Sequence, residues 1–133
     1  MANKIVKNVG RQEVIAVKQN LNFGTGKELD STGVVAAIDL PAGAILLDGY
    51  LNVLTGTTAT ATISLGDSGS ATRYLAATSV VTVAKTAITA TGLKYTTPTT
   101  LLVTIAGAAP VAVGTSEIVL RYIVDGRAAF SQG

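Results

Sequence analysis

Histidine, cysteine and tryptophan are all missing from this 133-residue chain, and each absence removes a class of function. Without histidine there is no side chain whose ordinary pKa suits proton shuttling near neutrality. Without cysteine the readiest nucleophile and soft metal ligand is gone, and with it any disulfide. Aromatic residues make up only 5% of the chain, too few for a platform on which nucleic-acid bases or sugar rings could stack. Charge is also scarce, at 14% of residues, against roughly a quarter in a typical soluble domain. These gaps point to a scaffold that works through its surface. No enzyme activity, catalytic residue, cofactor or metal site is expected.

What is present is apolar and β-forming. Hydrophobic residues reach 48% and the mean hydropathy is +0.48. A chain of 13.4 kDa suits one domain, which would bury roughly two-thirds of the surface its unfolded form exposes. So few charges leave such a domain poorly covered, and part of its apolar surface is expected to lie against other subunits or a partner. The net charge of +2 is mild, but five of the ten cations (Lys4, Lys7, Arg11, Lys18, Lys27) fall in the first 27 residues. Residues 1–11 read as an extended arm, with Lys4, Lys7 and Arg11 as candidate contacts to an acidic protein surface. The cations are too dispersed, and too little interleaved with aromatics, for a nucleic-acid partner. The polar start, Met1 to Asn8, has no apolar stretch of a signal peptide, so synthesis in the cytoplasm is expected. The longest apolar region, Val34 to Leu47, is interrupted by Asp39, Pro41 and Gly43, so no membrane span is expected.

From residue 12 to 133 the pattern is that of a single β-sandwich domain. Strands are predicted over Gln12–Leu21, Gly33–Leu40, Ala44–Thr55, Ala59–Leu65, Arg73–Ala77, Val80–Ala84, Gly92–Thr96, Thr100–Ala106 and Glu117–Asp125, separated by Gly, Pro, Asp and Ser. In the third, Ile45, Leu47, Leu51 and Val53 share one face and Asp48, Tyr50 and Asn52 the other. Leu46 and Leu54 then fall on the wet side and become candidate contact residues. In the last, Ile118, Leu120, Tyr122 and Val124 alternate with Arg121. No stretch of ten residues carries a helical period. The expected fold is all-β: an antiparallel, jelly-roll-like sandwich of about eight strands, with an open barrel as the rival.

Several motifs imitate chemistry. Gly66-Asp67-Ser68-Gly69 matches the segment around a trypsin-like nucleophile, but no histidine exists to take the serine proton, and only a dyad with Lys85 or Lys94 remains formally open. Gly24-Thr25-Gly26-Lys27 lacks the earlier glycine and following hydroxyl of a phosphate-binding loop, having Leu21 and Glu28 there. Asp39 and Asp48 could face each other across a hairpin as a carboxylate pair. Glu28, Asp30 and Asp67 do not form the Asp-rich run of a calcium loop. Surface structural roles are expected for all of them.

The series Asp39-Leu40-Pro41-Ala42-Gly43-Ala44, Leu47-Asp48-Gly49-Tyr50, Ser64-Leu65-Gly66-Asp67, Arg73-Tyr74-Leu75-Ala76-Ala77, Gly92-Leu93-Lys94-Tyr95-Thr96 and Tyr122 to Ala128 resembles small structural proteins of tailed bacteriophages, similar to capsid decoration or cement proteins. That resemblance implies a place on the virion capsid surface, with the major capsid protein and further copies of itself, as a dimer or trimer, for partners. A tail, neck or head-fibre component shares this composition. A cellular carbohydrate-binding module would instead need exposed rings, for which Tyr50, Tyr74, Tyr95 and Tyr122 are available.

Overall fold

The computed structural model describes residues 13–29, 32–107 and 113–125. They form eight strands: β1 (Ile15–Asn22), β2 (Gly33–Leu40), β3 (Ala44–Thr55), β4 (Ala61–Gly66), β5 (Leu75–Ser79), β6 (Ala84–Ala87), β7 (Thr99–Gly107) and β8 (Thr115–Val124). One sheet has the order β1-β8-β3-β6 and the other β2-β7-β4-β5, with every pairing antiparallel. Only the β4–β5 connection stays within a sheet, and all the others cross between sheets. That interleaving of two four-stranded sheets is the jelly roll, with its two Greek keys.

Alternation explains the packing. In β8 the inward residues Ile118, Leu120 and Tyr122 are buried, and Val124 packs on the same core. Across the interior, β4 and β7 supply Ala61, Ile63, Leu65, Leu101, Val103 and Ile105. Leu, Ile and Val fill most of this space, and Phe23, Tyr74, Tyr95 and Tyr122 join the same core.

The bulge in β3 corrects the expected facing of this strand. Leu46 pairs with Tyr122 and Asp48 with Arg121, so Leu47 is an extra residue without an opposite number. An inserted residue shifts the inward phase by one. Ala44 and Leu46 therefore point inward before it, and Leu51 and Val53 after it, while Leu47 is exposed. Leu46 is a core residue at 2% exposure, and the open-face position expected for it is overturned.

The seventh of the nine expected strands, Gly92–Thr96, does not form. Gly92 has φ +75°, and only an isolated bridge joins Lys94 to Ile45. The segment nevertheless clips the turn between β2 and β3. Gly43 takes φ +88° at the third position of the Pro41–Ala44 turn, where a Cβ is disfavoured, and donates its N–H to the Tyr95 carbonyl at 2.6 Å. Elsewhere β5 begins at Leu75, Arg73 being engaged by Asp67, and the expected strand Val80–Ala84 is not found: Val80 is bonded to Thr57 and Ala61 in a connection, and β6, Ala84–Ala87, shares only Ala84 with it.

Candidate interaction surface

One end of the sandwich, where the β2–β3, β4–β5 and β6–β7 connections meet, is tied by a buried polar node. Asp67 follows β4 in a turn closed by its own N–H to the Ser70 carbonyl at 2.9 Å. Its Oδ1 accepts the N–H groups of Gly69 and Ser70, both at 2.9 Å, and its Oδ2 accepts Arg73 Nε at 2.7 Å and the Tyr95 hydroxyl at 2.6 Å. Since Tyr95 spends its proton on Asp67, its oxygen receives the Tyr74 hydroxyl at 2.7 Å. Burial pushes the Asp67 carboxyl up, but Arg73, Tyr95 and the two backbone donors outweigh it and hold the pKa at about 2. Burial first, and the bond to Asp67 second, push the Tyr95 hydroxyl up, so it remains a donor.

Asp67 is therefore an interior organiser at 6% exposure, and the surface role expected for it is overturned. The Gly-Asp-Ser-Gly motif exists to make this turn. Lys94 pairs with Asp125 at 3.0 Å and Lys85 lies over the Tyr50 ring at 4.5 Å, so both lysines are engaged away from Ser68. Asp39 and Asp48 do not form a pair either. The chain leaves one sheet and joins the other between β2 and β3, which puts the two carboxylates on different sheets. Asp39 accepts the Thr100 hydroxyl at 2.7 Å, and Asp48 accepts Arg121 Nε at 2.7 Å. Glu28 is bonded to Asn22, and Asp30 lies outside the described residues. Among the described residues no three Asp or Glu side chains gather as a metal site, and no helix is long and apolar enough to cross a membrane.

The outer faces of the two sheets differ in chemistry. Strands β1, β3, β6 and β8 carry Lys18, Asp48, Lys85, Glu117 and Arg121. Register turns these into contacts: Lys18 meets Glu117 at 3.0 Å, Asn52 also bonds Glu117, and Arg121 grips Asp48 through both nitrogens of its fork. The Arg121 bond lowers the Asp48 pKa, and Lys18 and Asn52 lower that of Glu117. Strands β2, β4, β5 and β7 carry one charged residue in all, Asp39. Apart from Asp39 their outward side chains are uncharged: Val34 and Ala36 are exposed on β2, Leu102 and Thr104 on β7 and Thr62 on β4 are half-buried, and Ser64 on β4 is buried.

Of the expected contact residues, Leu54 is open at 51% exposure, beside a second bulge of β3. Val81 and Val83 are exposed at the same end of the sandwich, opposite the Asp67 node. Lys4, Lys7 and Arg11, with the rest of the expected arm, lie outside the described residues. Of the tyrosines, Tyr74, Tyr95 and Tyr122 are buried and cannot stack on a sugar, which leaves Tyr50 alone, with Lys85 over its ring. The uncharged sheet face had a sequence signal that the reading by single residues missed. It appears only when strands two, four, five and seven are taken together, and the strand order was not legible.

No family model matches the chain, and no curated protein does. Solved structures do. A chain in the capsid asymmetric unit of cyanophage Pam1 is similar over 93% of this chain and 92% of its own length, with TM-score 0.62 and 29% identity. A chain in the capsid of Ralstonia phage GP4 matches over 96% and 93%, with TM-score 0.64 and 20% identity. One in the acidic stable capsid structure of Helicobacter pylori bacteriophage KHP30 matches over 85% and 93%, with TM-score 0.61 and 16% identity. At those lower identities the last two speak to the fold alone. Each likeness spans nearly the whole of a chain of similar size. The Pam1 likeness supports a capsid-related structural protein of a phage, and the resemblance drawn from the sequence holds at that level.

Proposed function

We propose that this chain is a capsid decoration protein, binding the outside of a phage shell and bridging neighbouring major capsid subunits. The observation that carries the reading is the end-to-end likeness to a chain of similar size within the Pam1 capsid asymmetric unit. The physical logic is binding without chemistry. A protein that binds only the assembled lattice stabilises it by mass action. Repetition around the shell multiplies a modest contact through effective concentration. The apolar excess fits, because subunit contacts would cover what a lone copy exposes. Residues 1–11 are proposed as an arm that brings Lys4, Lys7 and Arg11 onto an acidic shell surface, with Leu54 as an apolar contact.

Adding the purified chain to shells of its own phage stripped of it tests this. The full chain is expected to co-sediment with the shells to saturation and to raise the temperature at which they rupture. A variant lacking residues 1–11 should bind about tenfold more weakly or worse, as three exposed ion pairs would give, with its circular dichroism unchanged. Failure of the full chain to bind contradicts the decoration role, and equal binding by the shortened chain contradicts the arm.

A further inference from the structure

We infer that an open groove on the outer face of the charged sheet is a binding site for an acidic sugar, a pyranose that carries a carboxylate. The inference concerns the isolated chain and does not rest on the decoration reading. The groove holds about 380 Å³ between Asp48 and Tyr50 of β3, Lys85 and Ala87 of β6, and Val119 and Arg121 of β8. That volume lies toward the small end of the range of ligand pockets. Strand register makes the hollow. Tyr50 lies opposite Ala87 on one neighbouring strand and Val119 on the other. Those two side chains are short, so the longer Lys85 and Arg121 stand over a low apolar floor.

The groove has hydrogen-bonding capacity that the fold does not use. Arg121 commits Nε and Nη2 to Asp48, which leaves Nη1 without a partner among the described residues. Lys85 has no carboxylate partner among the described residues, and its ammonium is 4.5 Å from the centre of the Tyr50 ring. A contact of that kind is weak at an exposed site, so it places Lys85 over the groove without exhausting its donors. Tyr50 thus serves as a mount for a cation and not as a stacking face, and the scarcity of exposed rings does not weigh against this site. Asp48 supplies the acceptor. Its side chain is half exposed, and each oxygen keeps a lone pair beyond the one that Arg121 occupies. The other charges of this face, Lys18 and Glu117, pair with each other at 3.0 Å and do not line the groove.

This set of groups selects the ligand. Two cations against one carboxylate leave the groove with a net charge of +1, which favours an anion. An acidic peptide side chain would engage the two cations but would meet Asp48 as a like charge with no hydroxyl to offer it. An acidic sugar uses every group: its carboxylate accepts from Arg121 Nη1 and Lys85, a ring hydroxyl donates to Asp48, and a C–H face rests on Ala87 and Val119. With an open groove and two charged contacts, a single sugar should bind weakly, with a dissociation constant on the order of 1 mM.

Amide chemical-shift titration of the full chain by NMR tests the inference, with methyl glucuronide as the probe and methyl glucoside and N-acetylglutamate amide as controls. Methyl glucuronide should move the amides of Gly49, Tyr50, Ala87 and Val119 and saturate with a dissociation constant on the order of 1 mM. The controls lack the carboxylate or the sugar ring and should each bind about tenfold more weakly or worse. Lys85→Gln, at an exposed position, should weaken methyl glucuronide binding about fivefold while thermal unfolding is unmoved. An absence of shifts up to about 50 mM, shifts confined to another surface, or binding untouched by Lys85→Gln would overturn the inference. So would equal binding of methyl glucoside, which would make this a neutral-sugar site, or of the glutamate derivative, which would make it an acidic-peptide site.

Discussion

Replacing Asp67 with alanine should cost about 4 kcal/mol of stability, a fall of roughly 15 °C in unfolding temperature for a chain of this size. The loss is large because one carboxylate serves four donors at once: Gly69 N–H, Ser70 N–H, Arg73 and Tyr95. Its removal leaves the Tyr95 O–H in the interior without an acceptor, while the Tyr74–Tyr95 bond remains. Each buried polar group left unpaired costs about 1–3 kcal/mol. Tyr95→Phe, which removes the bonds to Asp67 and Tyr74 but keeps the ring and the other three donors to the carboxylate, should cost less, about 2–3 kcal/mol. Calorimetry on both variants checks the order. Equal losses would mean that the bonds of the Tyr95 hydroxyl, not the other three donors to the carboxylate, hold this end together.

The same node sets an acid limit. The folded pKa of Asp67 is about 2, below the ordinary 3.8, so its ionised form is favoured by folding. Its contribution is complete above about pH 4 and disappears as pH falls from there toward 2, a loss on the order of 2 kcal/mol. An Asp67→Asn variant should start lower and lose less over that window.

Leu46→Ala should cost about 3 kcal/mol, and Leu54→Ala less than about 0.5 kcal/mol, although the two leucines occupy like positions in the simple alternation of β3. The difference comes from the bulge at Leu47. Leu46 sits in the core opposite Tyr122, and its truncation leaves a cavity between the sheets. Leu54 is half exposed and loses only solvent-facing surface. Paired urea titrations measure both. Comparable losses would mean that β3 runs without the bulge, in the phase its bare sequence suggests.

That pair also shows how far the fold was legible. The limits of β2 and β3, the inward row of β8 and the all-β class follow from turn residues and period-two alternation, which are local. The bulge could not be read, because an extra residue is defined by the partner strand, and nothing in Ile45-Leu46-Leu47 says which leucine lacks an opposite number. Gly92–Thr96 has strand-like composition, but Tyr95 is drawn into the Asp67 node, a tertiary demand that overrides local propensity. The Gly-Asp-Ser-Gly motif has no histidine in the chain to act as its base. Its actual work, as a buried hub, depended on Arg73 and Tyr95 arriving from later in the chain. The two unlike sheet faces required the strand order, which alternation does not encode.

On the proposed function the chain decorates a phage shell. A cryo-EM reconstruction of the particle that carries it tests this most directly, by locating and counting copies. Hundreds of copies on the outer surface of the icosahedral shell, each touching more than one major capsid subunit, are what a decoration role predicts. A handful of copies at the tail, neck or portal, or none on any particle, would contradict it.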